Sequence, residues 1–452
     1  MAARSATGPT TSLPRCVKPA DAVSSFRRGA LASMSGSPSG SGPTAGRLVA
    51  IVCAAQVLVQ IGAYFWPALL PGLTDRWVLT YTQAGWITAV FYGAYMLSVP
   101  ILVTLTDRID PRRIYLLGVG LTIGGHLYFG LAADGFWSAI LGRALAGVGW
   151  AGTYMTGLKL LADRVDDRLM SRAVAAHAAG IGVSGALSFA TGDAIARLAG
   201  WESAFIAAGV SAAVAWCMVA AAVPVRRARP APASDGGKLF DFRPVFRNRS
   251  AMAYAIAYCV HTLEMNALRG WAVAFLAYVA GSTGAAGTAL SPTLVATGFA
   301  LLGVAASVSG NEVAIRVGRR KLIHAAMAGS IVIAVALAFA GTTSYAVAVT
   351  LLGVYGVVVW LDSSSLTAGA AGTAELSRRG ATLAVHSMLG YAGGFVGPLA
   401  VGWVLDLFGG MVPAAWAAAF LMIACLMTLA LAAFWRMRPR ELAGDRGASP
   451  PS

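Results

Sequence analysis

Charged residues are scarce in this chain, and acidic residues are scarcer than basic ones. Only 12% of its 452 residues are charged, whereas 57% are hydrophobic. Soluble globular proteins carry about 25% charged residues. The composition therefore excludes an ordinary soluble protein and indicates a chain that lies largely inside a lipid bilayer.

Cysteine pairs and nucleotide-binding motifs are also lacking. None of the five cysteines belongs to a C-x-x-C pair, so we infer neither a disulfide framework nor a metal site. No glycine-rich phosphate loop ending in Lys-Ser or Lys-Thr occurs, which argues against ATP as the energy source. No nucleophile, base and orienting residue occur together, which argues against an enzyme. We expect no cofactor.

Twelve apolar runs fill most of the chain, and a bilayer is spanned by about 20 such residues in a helix. Lipid cannot satisfy backbone polar groups, so these runs should be helical. They lie at about 48–70, 82–105, 114–133, 137–161, 173–198, 203–224, 251–279, 290–311, 322–341, 345–368, 382–405 and 412–435. We number them spans 1 to 12. The predicted fold is an all-α integral membrane protein with 12 transmembrane helices in two six-helix bundles.

The polar segments divide the chain further. The prediction is a disordered tail at 1–46, a first bundle at 47–224, a basic linker at 225–249, a second bundle at 250–435 and a tail at 436–452. Twenty-four Lys and Arg residues lie in the connections on one side of the spans, against two on the other, Arg76 and Arg197. This asymmetry predicts an inner-membrane protein with both ends in the cytoplasm. It also explains the net charge of +15 without a nucleic-acid partner.

Two charged connections occupy matching places in the two halves. The chain reads LTDRIDPRR at 105–113 and NEVAIRVGRRK at 311–321. The pair resembles the loop between helices 2 and 3 of the major facilitator superfamily, roughly G-x-L-A-D-R-x-G-R-R, and its repeat between helices 8 and 9. The first copy has Asp110 and Pro111 where the family usually has Gly-Arg, and the second has Ile315 at the Asp position.

The resemblance implies two related bundles that rock about a central site lined mainly by helices 1, 4, 7 and 10. It also implies a cytoplasmic gate. The gate candidates are Asp107, Arg108, Arg112, Arg113, Gly318, Arg319 and Arg320. In this hypothesis Asp107 forms a latch with Arg108 and Arg112 in one state and releases it in the other.

Polar and aromatic residues within the spans are the candidates for substrate binding, because such groups are costly in lipid. Arg143, with two following glycines, resembles the family motif R-x-x-x-G-x-G of helix 4. The candidates are Gln56, Gln60, Tyr64, Arg143, Trp150, Tyr154, Arg269 and Tyr355. Spacing places Gln56, Gln60 and Tyr64 on one helix face, and Arg143, Trp150 and Tyr154 on another. Each polar group has an alternative role as a tie between helices.

Span 7 is the most polar, and it carries the candidates for proton coupling. His261 and Glu264 are neighbours at i, i+3, and burial favours the protonated form of a carboxylic acid. Asp362 in span 10 is the third candidate, with a gate or helix-end latch as its alternative. The alternative for Glu264 is a permanent ion pair with Arg269 or Arg143.

The sequence therefore predicts a monomeric secondary transporter for a small organic solute in the lipid bilayer, coupled to protons. Arg143 and Arg269 favour an anionic solute. Proton-driven efflux of drugs or amphipathic metabolites is an alternative, although span 5 lacks the G-P-x-x-G-G of such exporters. A membrane sensor with a transporter-like body is an alternative of another class.

Overall fold

A computed structural model describes residues 45–106, 108–165, 167–225, 242–287, 290–375, 378–442 and 445–446. The described residues form helices and connections, without strands. The helices are α1 Ala45–Gln60, α2 Phe65–Arg76, α3 Tyr81–Leu105, α4 Pro111–Ala132, α5 Phe136–Ala151, α6 Tyr154–Ala162, α7 Asp167–Ala199, α8 Trp201–Ala222, α9 Arg243–Arg247, α10 Arg249–Ser282, α11 Pro292–Val317, α12 Arg319–Ala340, α13 Tyr345–Val358, α14 Ser363–Gly372, α15 Arg379–Leu407 and α16 Pro413–Met437.

Ten helical segments in the described ranges are long and apolar enough to cross a membrane. They are Ala45–Arg76, Tyr81–Leu105, Pro111–Ala132, Arg172–Ala199, Trp201–Ala222, Pro292–Val317, Arg319–Ala340, Tyr345–Gly372, Arg379–Leu407 and Pro413–Met437. Large apolar side chains such as Leu131, Val308 and Phe339 point outward from them. Outward apolar faces suit contact with lipid. The predicted class, an all-α integral membrane protein, is confirmed.

The count of twelve spans depends on the two remaining segments. Span 4 is divided into α5 and α6, of 16 and 9 residues, so neither helix alone has the length to cross. Span 7 corresponds to α10, which is 34 residues long but carries His261, Glu264 and Arg269 in its middle. Both segments are helical. Span 4 has a break and span 7 has polar groups in its middle, and such features are expected at a binding site.

Three of the spans are interrupted near their middle. Span 1 breaks at residues 61–64, span 4 at 152–153 and span 10 at 359–362. The backbone amide freed at Tyr64 donates to Ser188 Oγ of α7 at 2.9 Å. The breaks mean that residues before and after them do not share one continuous helix face. The predicted stripe from Arg143 to Tyr154 is therefore divided between α5 and α6, and Tyr64 lies in the break after α1 and not on the helix of Gln56 and Gln60.

Small residues bring α10 and α15 into close contact. A Cβ atom at Gly393 would collide with the carbonyl oxygen of Cys259, and one at Gly397 with that of Leu263. Trp271 Nε1 donates to the carbonyl oxygen of Pro398 at 2.8 Å across the same interface. Helices in lipid pack by such close backbone approach, because water does not drive them together.

The segments outside the two predicted bundles differ partly from expectation. Residues 1–44 of the predicted tail and residues 226–241 of the predicted linker lie outside the described residues. The end of the linker is helical, as α9 and the first residue of α10. Beyond α16, residues 438–442 and 445–446 fold back onto the second half of the chain instead of extending as a free tail.

Candidate functional site

We call residues 45–225 the first half and residues 242–446 the second half. We call the face with the ends of α3, α6 and α11 the basic face, and the face with the ends of α4, α7 and α15 the opposite face.

Arg269 joins the two halves at the centre of the molecule. Its Nη1 donates to Tyr64 Oη at 2.9 Å. Its guanidinium also lies over the ring of Trp360, with Cζ 4.6 Å from the centroid, and over the ring of Tyr64 at 5.2 Å. Cation–π contacts of this kind stabilise a guanidinium away from water. Tyr64 and Trp360 both belong to helix breaks, so the interrupted spans 1 and 10 meet at Arg269.

Arg143 lies in the same region from the first half. Its Nη1 donates to the carbonyl oxygen of Ala63 at 3.1 Å, and its Cζ lies 4.4 Å from the Phe91 ring centroid. The residue is only 2% exposed. Tyr92 lies within electrostatic reach of both Arg143 and Arg269. The tyrosine is a neighbour of both guanidinium groups that sequence reasoning missed.

Neither guanidinium has a carboxylate partner within 4.0 Å in the described part of the chain. The ion pair of Glu264 with Arg143 or Arg269, considered as an alternative from the sequence, is not formed. Two cationic groups are thus held near the centre by aromatic rings, a carbonyl and a phenol. A site of this kind attracts negative charge.

Aromatic rings from both halves line the region next to Arg143. Trp150 packs against Tyr95 and Tyr391, with ring centroids 4.7 and 5.7 Å away, and Tyr95 and Tyr391 are 3.9 Å apart. Tyr154 stacks on Trp150 at 6.3 Å across the break in span 4. Of these four residues, only Trp150 and Tyr154 were predicted. Tyr95 and Tyr391 lie in spans 2 and 11, and no spacing in the sequence singles them out.

A buried acid cluster in the second half contains all three predicted proton-coupling residues. His261, Glu264 and Asp362 are at most 2% exposed. His261 Nδ1 and Asp362 Oδ1 are 3.0 Å apart, although the two groups are not aligned as a hydrogen bond. Asp362 lies at the break between α13 and α14, which turns it toward α10. The structure therefore pairs His261 with Asp362 and not with Glu264, its neighbour in sequence.

Glu264 has a different partner. Tyr355 Oη donates to Glu264 Oε1 at 2.6 Å, and both residues are fully buried. Ser330 lies within reach of the same carboxyl group. Tyr355 was predicted as a substrate ligand, but its hydroxyl is occupied by Glu264 here.

The predicted gate residues of the first half lie on the basic face. Asp107 lies outside the described residues, and Arg108 and Arg113 are exposed. Arg112 Nη2 donates to the carbonyl oxygen of Ala220 at 2.6 Å. Sequence reasoning missed the buried ion pair beside them, Arg164 Nη2 to Asp110 Oδ1 at 2.7 Å.

The gate residues of the second half are engaged by the segment after α16. Arg319 is 3% exposed and donates from Nε and Nη2 to the two carboxylate oxygens of Asp445 at 2.9 and 3.1 Å. Arg320 Nε lies 3.2 Å from Glu441 Oε1. Gly318 has φ +103°, which glycine adopts without strain and which turns α11 into α12. The ion pairs of the basic face among the described residues all stay within one half.

Hydrogen bonds between the halves occur at the opposite face. Asp406, at the end of α15, accepts from the backbone amides of Tyr81 and Thr82 at 2.9 and 2.7 Å, at the start of α3. Asp193, near the end of α7, accepts from Thr293 Oγ1 at 2.8 Å, at the start of α11. Each half thus supplies one carboxylate to a helix start of the other half. We call these two contacts the opposite-face latches.

Other predicted residues lie away from this centre. Gln56 is buried on α1 and its Oε1 accepts from Tyr115 Oη of α4 at 3.2 Å, inside the first half. Gln60 is buried at the end of α1. Among the described residues, no group of three or more His, Cys, Asp or Glu side chains is placed so that it could hold a metal ion, and the four cysteines within them are free.

Residues 52–361 match the profile of the Major Facilitator Superfamily. The chain belongs to this superfamily. Two curated relatives are 25% identical to it: an uncharacterized MFS-type transporter, YbcL, of Bacillus subtilis strain 168 over 256 residues, and protein spinster homolog 1 of Homo sapiens over 240 residues. The matches cover 56% and 51% of this chain, but only 62% and 45% of those relatives.

Solved superfamily structures share the fold. A bacterial homolog of the human lysosomal transporter Spinster, in an inward-facing and occupied conformation, has a TM-score of 0.69 at 14% identity over 88% of this chain and 98% of its own. A mutant form of the nucleoside transporter NupG has a TM-score of 0.69 at 13% identity over 86% and 99%. At these identities the likeness shows the fold alone.

Proposed function

We propose that this superfamily member is a secondary transporter that moves a small organic solute by proton-coupled alternating access. The observation that carries the proposal is the position of Arg269. It bonds to Tyr64 across the two halves and lies on the same helix as His261 and Glu264. Solute and proton chemistry would thus act on one element between two bundles, as coupling requires. Membership of a transporter superfamily favours this role over an enzymatic one.

The charges at the centre support an anionic solute. Arg143 and Arg269 lack carboxylate partners among the described residues, whereas the acids of the second half lie with His261 and Tyr355. An anion could exchange with the phenol of Tyr64 as the partner of Arg269. Release of Tyr64 would then loosen a contact between the halves.

The buried cluster supports protons as the coupling ion. It holds two carboxylic acids, Glu264 and Asp362, beside the imidazole of His261. We infer that Glu264, whose contact in the described part of the chain is a phenol and not a cation, is the group that would exchange the proton. Buried charge without a partner is costly, so loss of this proton would favour a conformation that admits water.

The distribution of charge supports an orientation with the basic face toward the cytoplasm of an inner membrane. The opposite-face latches would then close the outer side. This arrangement supports one state of an alternating-access cycle, in a monomer with the lipid bilayer as its surroundings.

Proton movement in proteoliposomes tests the proposal. A pH-sensitive dye is enclosed, and organic acids, bases and neutral solutes are added outside. We expect a proton signal with one class of solute, lost in Glu264→Gln. The matched control is Glu312→Gln, the same change at an exposed residue of α11 that pairs with Arg316. Loss of the signal in both variants, or its absence with every solute, would contradict proton coupling through Glu264.

The aromatic residues next to Arg143 support a second candidate function, the efflux of amphipathic compounds. Trp150, Tyr95 and Tyr391 present closely packed rings beside Arg143, and such surfaces bind flat apolar groups. Accumulation of an amphipathic dye in inverted vesicles, driven by an imposed proton gradient, would favour this candidate over anion transport.

A further inference from the structure

A large cavity opens on the basic face of the second half, away from the central site. It measures about 1330 Å³ and lies between the start of α10 and the ends of α14 and α16. Its lining includes five arginines and one tryptophan: Arg247, Arg249, Arg436, Arg438, Arg440 and Trp435. We call it the arginine cavity.

The positive charge of the arginine cavity is not balanced by its own acids. The two acidic residues in the lining are Glu375 and Glu441. Each pairs with an arginine outside the lining: Glu375 with Arg378 at 3.6 Å and Glu441 with Arg320 at 3.2 Å. The five arginines therefore have no free carboxylate among the described lining residues. A concave surface of this kind concentrates anions.

The walls of the cavity are held in place before any ligand arrives. Arg249 Nη2 donates to the carbonyl oxygen of Arg436 at 2.7 Å. The amide of Arg440 donates to Ser250 Oγ at 3.1 Å, and Tyr254 Oη donates to the carbonyl oxygen of Arg440 at 2.9 Å. These bonds fix the segment after α16 against the start of α10. A ligand would meet a formed site and would not have to order it.

Aromatic residues place the cavity at the level of the membrane surface. Trp435 is 63% exposed and comes two residues before the end of α16, an apolar span. Phe246 on α9 is 59% exposed and precedes Arg247. Exposed aromatic residues at the ends of spans lie at the depth of lipid headgroups. Arg438, with Cζ 6.0 Å from the Trp435 ring centroid, lies at the same level.

We propose that the arginine cavity binds the phosphate group of an anionic phospholipid. Guanidinium groups bind phosphate oxygens through paired hydrogen bonds, so the arginines suit this chemistry. The aromatic residues at the surface favour a phosphate attached to acyl chains over a soluble one. Basic pockets between spans are typical headgroup sites. The bound lipid would connect α9 and α10 to the segment after α16 and stabilise the second half. This proposal does not depend on the proposed transport activity.

Thermal unfolding of the purified full-length chain in detergent tests the proposal. Three additions are compared at equal phosphate concentration: dioleoylphosphatidylglycerol, dioleoylphosphatidylcholine and inorganic phosphate. We expect phosphatidylglycerol to raise the melting temperature by a few degrees, because it binds the folded state, and the other two to have little effect. Native mass spectrometry should show retained phosphatidylglycerol.

Variants separate the cavity from general surface charge. The triple variant Arg247→Gln, Arg438→Gln, Arg440→Gln should lose the temperature shift and the retained lipid. The matched control changes three exposed arginines of the same face to Gln and should keep both; they are Arg47, Arg172 and Arg379. A triple Lys variant of the cavity residues keeps the charge without the paired hydrogen bonds and should recover only part of the shift.

Three results would overturn the proposal. The first is an equal shift with phosphatidylcholine, which carries no net charge. The second is an equal shift with inorganic phosphate, which would make the ligand a soluble anion. The third is equal loss in the cavity and control variants, which would show that these guanidinium groups do not hold the lipid.

Discussion

Removal of one opposite-face latch should shift the protein toward a state open on that face. In Asp406→Asn the side chain keeps one oxygen acceptor but loses its charge and its second acceptor. The wild-type carboxylate accepts from Tyr81 N at 2.9 Å and from Thr82 N at 2.7 Å. The start of α3 has its own cap, because Thr80 Oγ1 accepts from Gln83 N and Gln83 Oε1 from Thr80 N. The substitution should therefore affect contact between the halves and leave the helix intact.

The size of the effect follows from the two contributions that Asn cannot replace. One hydrogen bond contributes about 0.5–1.5 kcal/mol net. The negative charge at a helix start contributes about 0.3–1 kcal/mol more. The latched state should lose roughly 1–2 kcal/mol relative to the open state, a change of about 5- to 30-fold in their ratio. The second latch, Asp193 to Thr293, has one such bond and remains.

Distances between two spin labels measure this ratio. The labels replace Trp137 in the first half and Phe339 in the second, which are 79% and 73% exposed near the opposite face. The five native cysteines are first changed to serine. Wild type should show mainly short distances. In Asp406→Asn the ratio of long to short distances should rise by about 5- to 30-fold, as worked out above.

Asp134→Asn is the matched control. Asp134 lies on the same face, and its carboxylate accepts from Ser138 Oγ at 2.8 Å within its own half. The change in charge is the same, but no contact between the halves is lost. The latch reasoning would be refuted if Asp406→Asn left the distances as in wild type, or if Asp134→Asn moved them equally.

Further predictions concern stability, measured as melting temperature in detergent. Tyr355→Phe removes the 2.6 Å hydrogen bond to the buried glutamate and should cost about 1–3 kcal/mol; an unchanged melting temperature would show that the bond contributes nothing. Gly397→Ala forces α10 and α15 apart and should cost about 1–3 kcal/mol. Gly353→Ala, where a new Cβ meets no atom within 4 Å, should be neutral or stabilising, and an equal loss there would contradict the packing argument. Asp445→Asn leaves Arg319 buried without its carboxylate and should cost about 3–5 kcal/mol. An unchanged melting temperature would show that the segment after α16 is not held as described.

The gate shows how far loop motifs can be read from sequence. The charged connections at 105–113 and 311–321 predicted a gate, and its latch at Asp107 stays a prediction because that residue lies outside the described residues. The partners of the charges in these connections were not predictable: Arg164 bonds to Asp110, and Arg319 bonds to Asp445, which is 126 residues away. A motif fixes the charges in its own loop. Which distant carboxylate reaches them depends on how the helix ends are arranged.

The central site was likewise predictable from the sequence only in part. Cost in lipid was enough to identify His261, Glu264, Arg143 and Arg269 as residues of interest from the sequence. The contacts that these residues make were not predictable, because the breaks in spans 1, 4 and 10 end the helical periodicity on which spacing arguments depend. Arg269 therefore meets Tyr64 from the other half, a contact that no spacing predicts.

The sequence by itself determined the membrane location, the helical class and the family, since these depend on apolar length, scarce charge and local motifs. The tertiary structure alone decided which charges are paired and which are free. Arg143 and Arg269 have no carboxylate partner among the described residues. His261 lies beside Asp362, and Tyr355 donates a hydrogen bond to Glu264. It also decided that carboxylates at the ends of α7 and α15 bind helix starts of the other half. The physical reason is that a helix fixes neighbours within about four residues, whereas contacts between helices depend on packing over the whole chain.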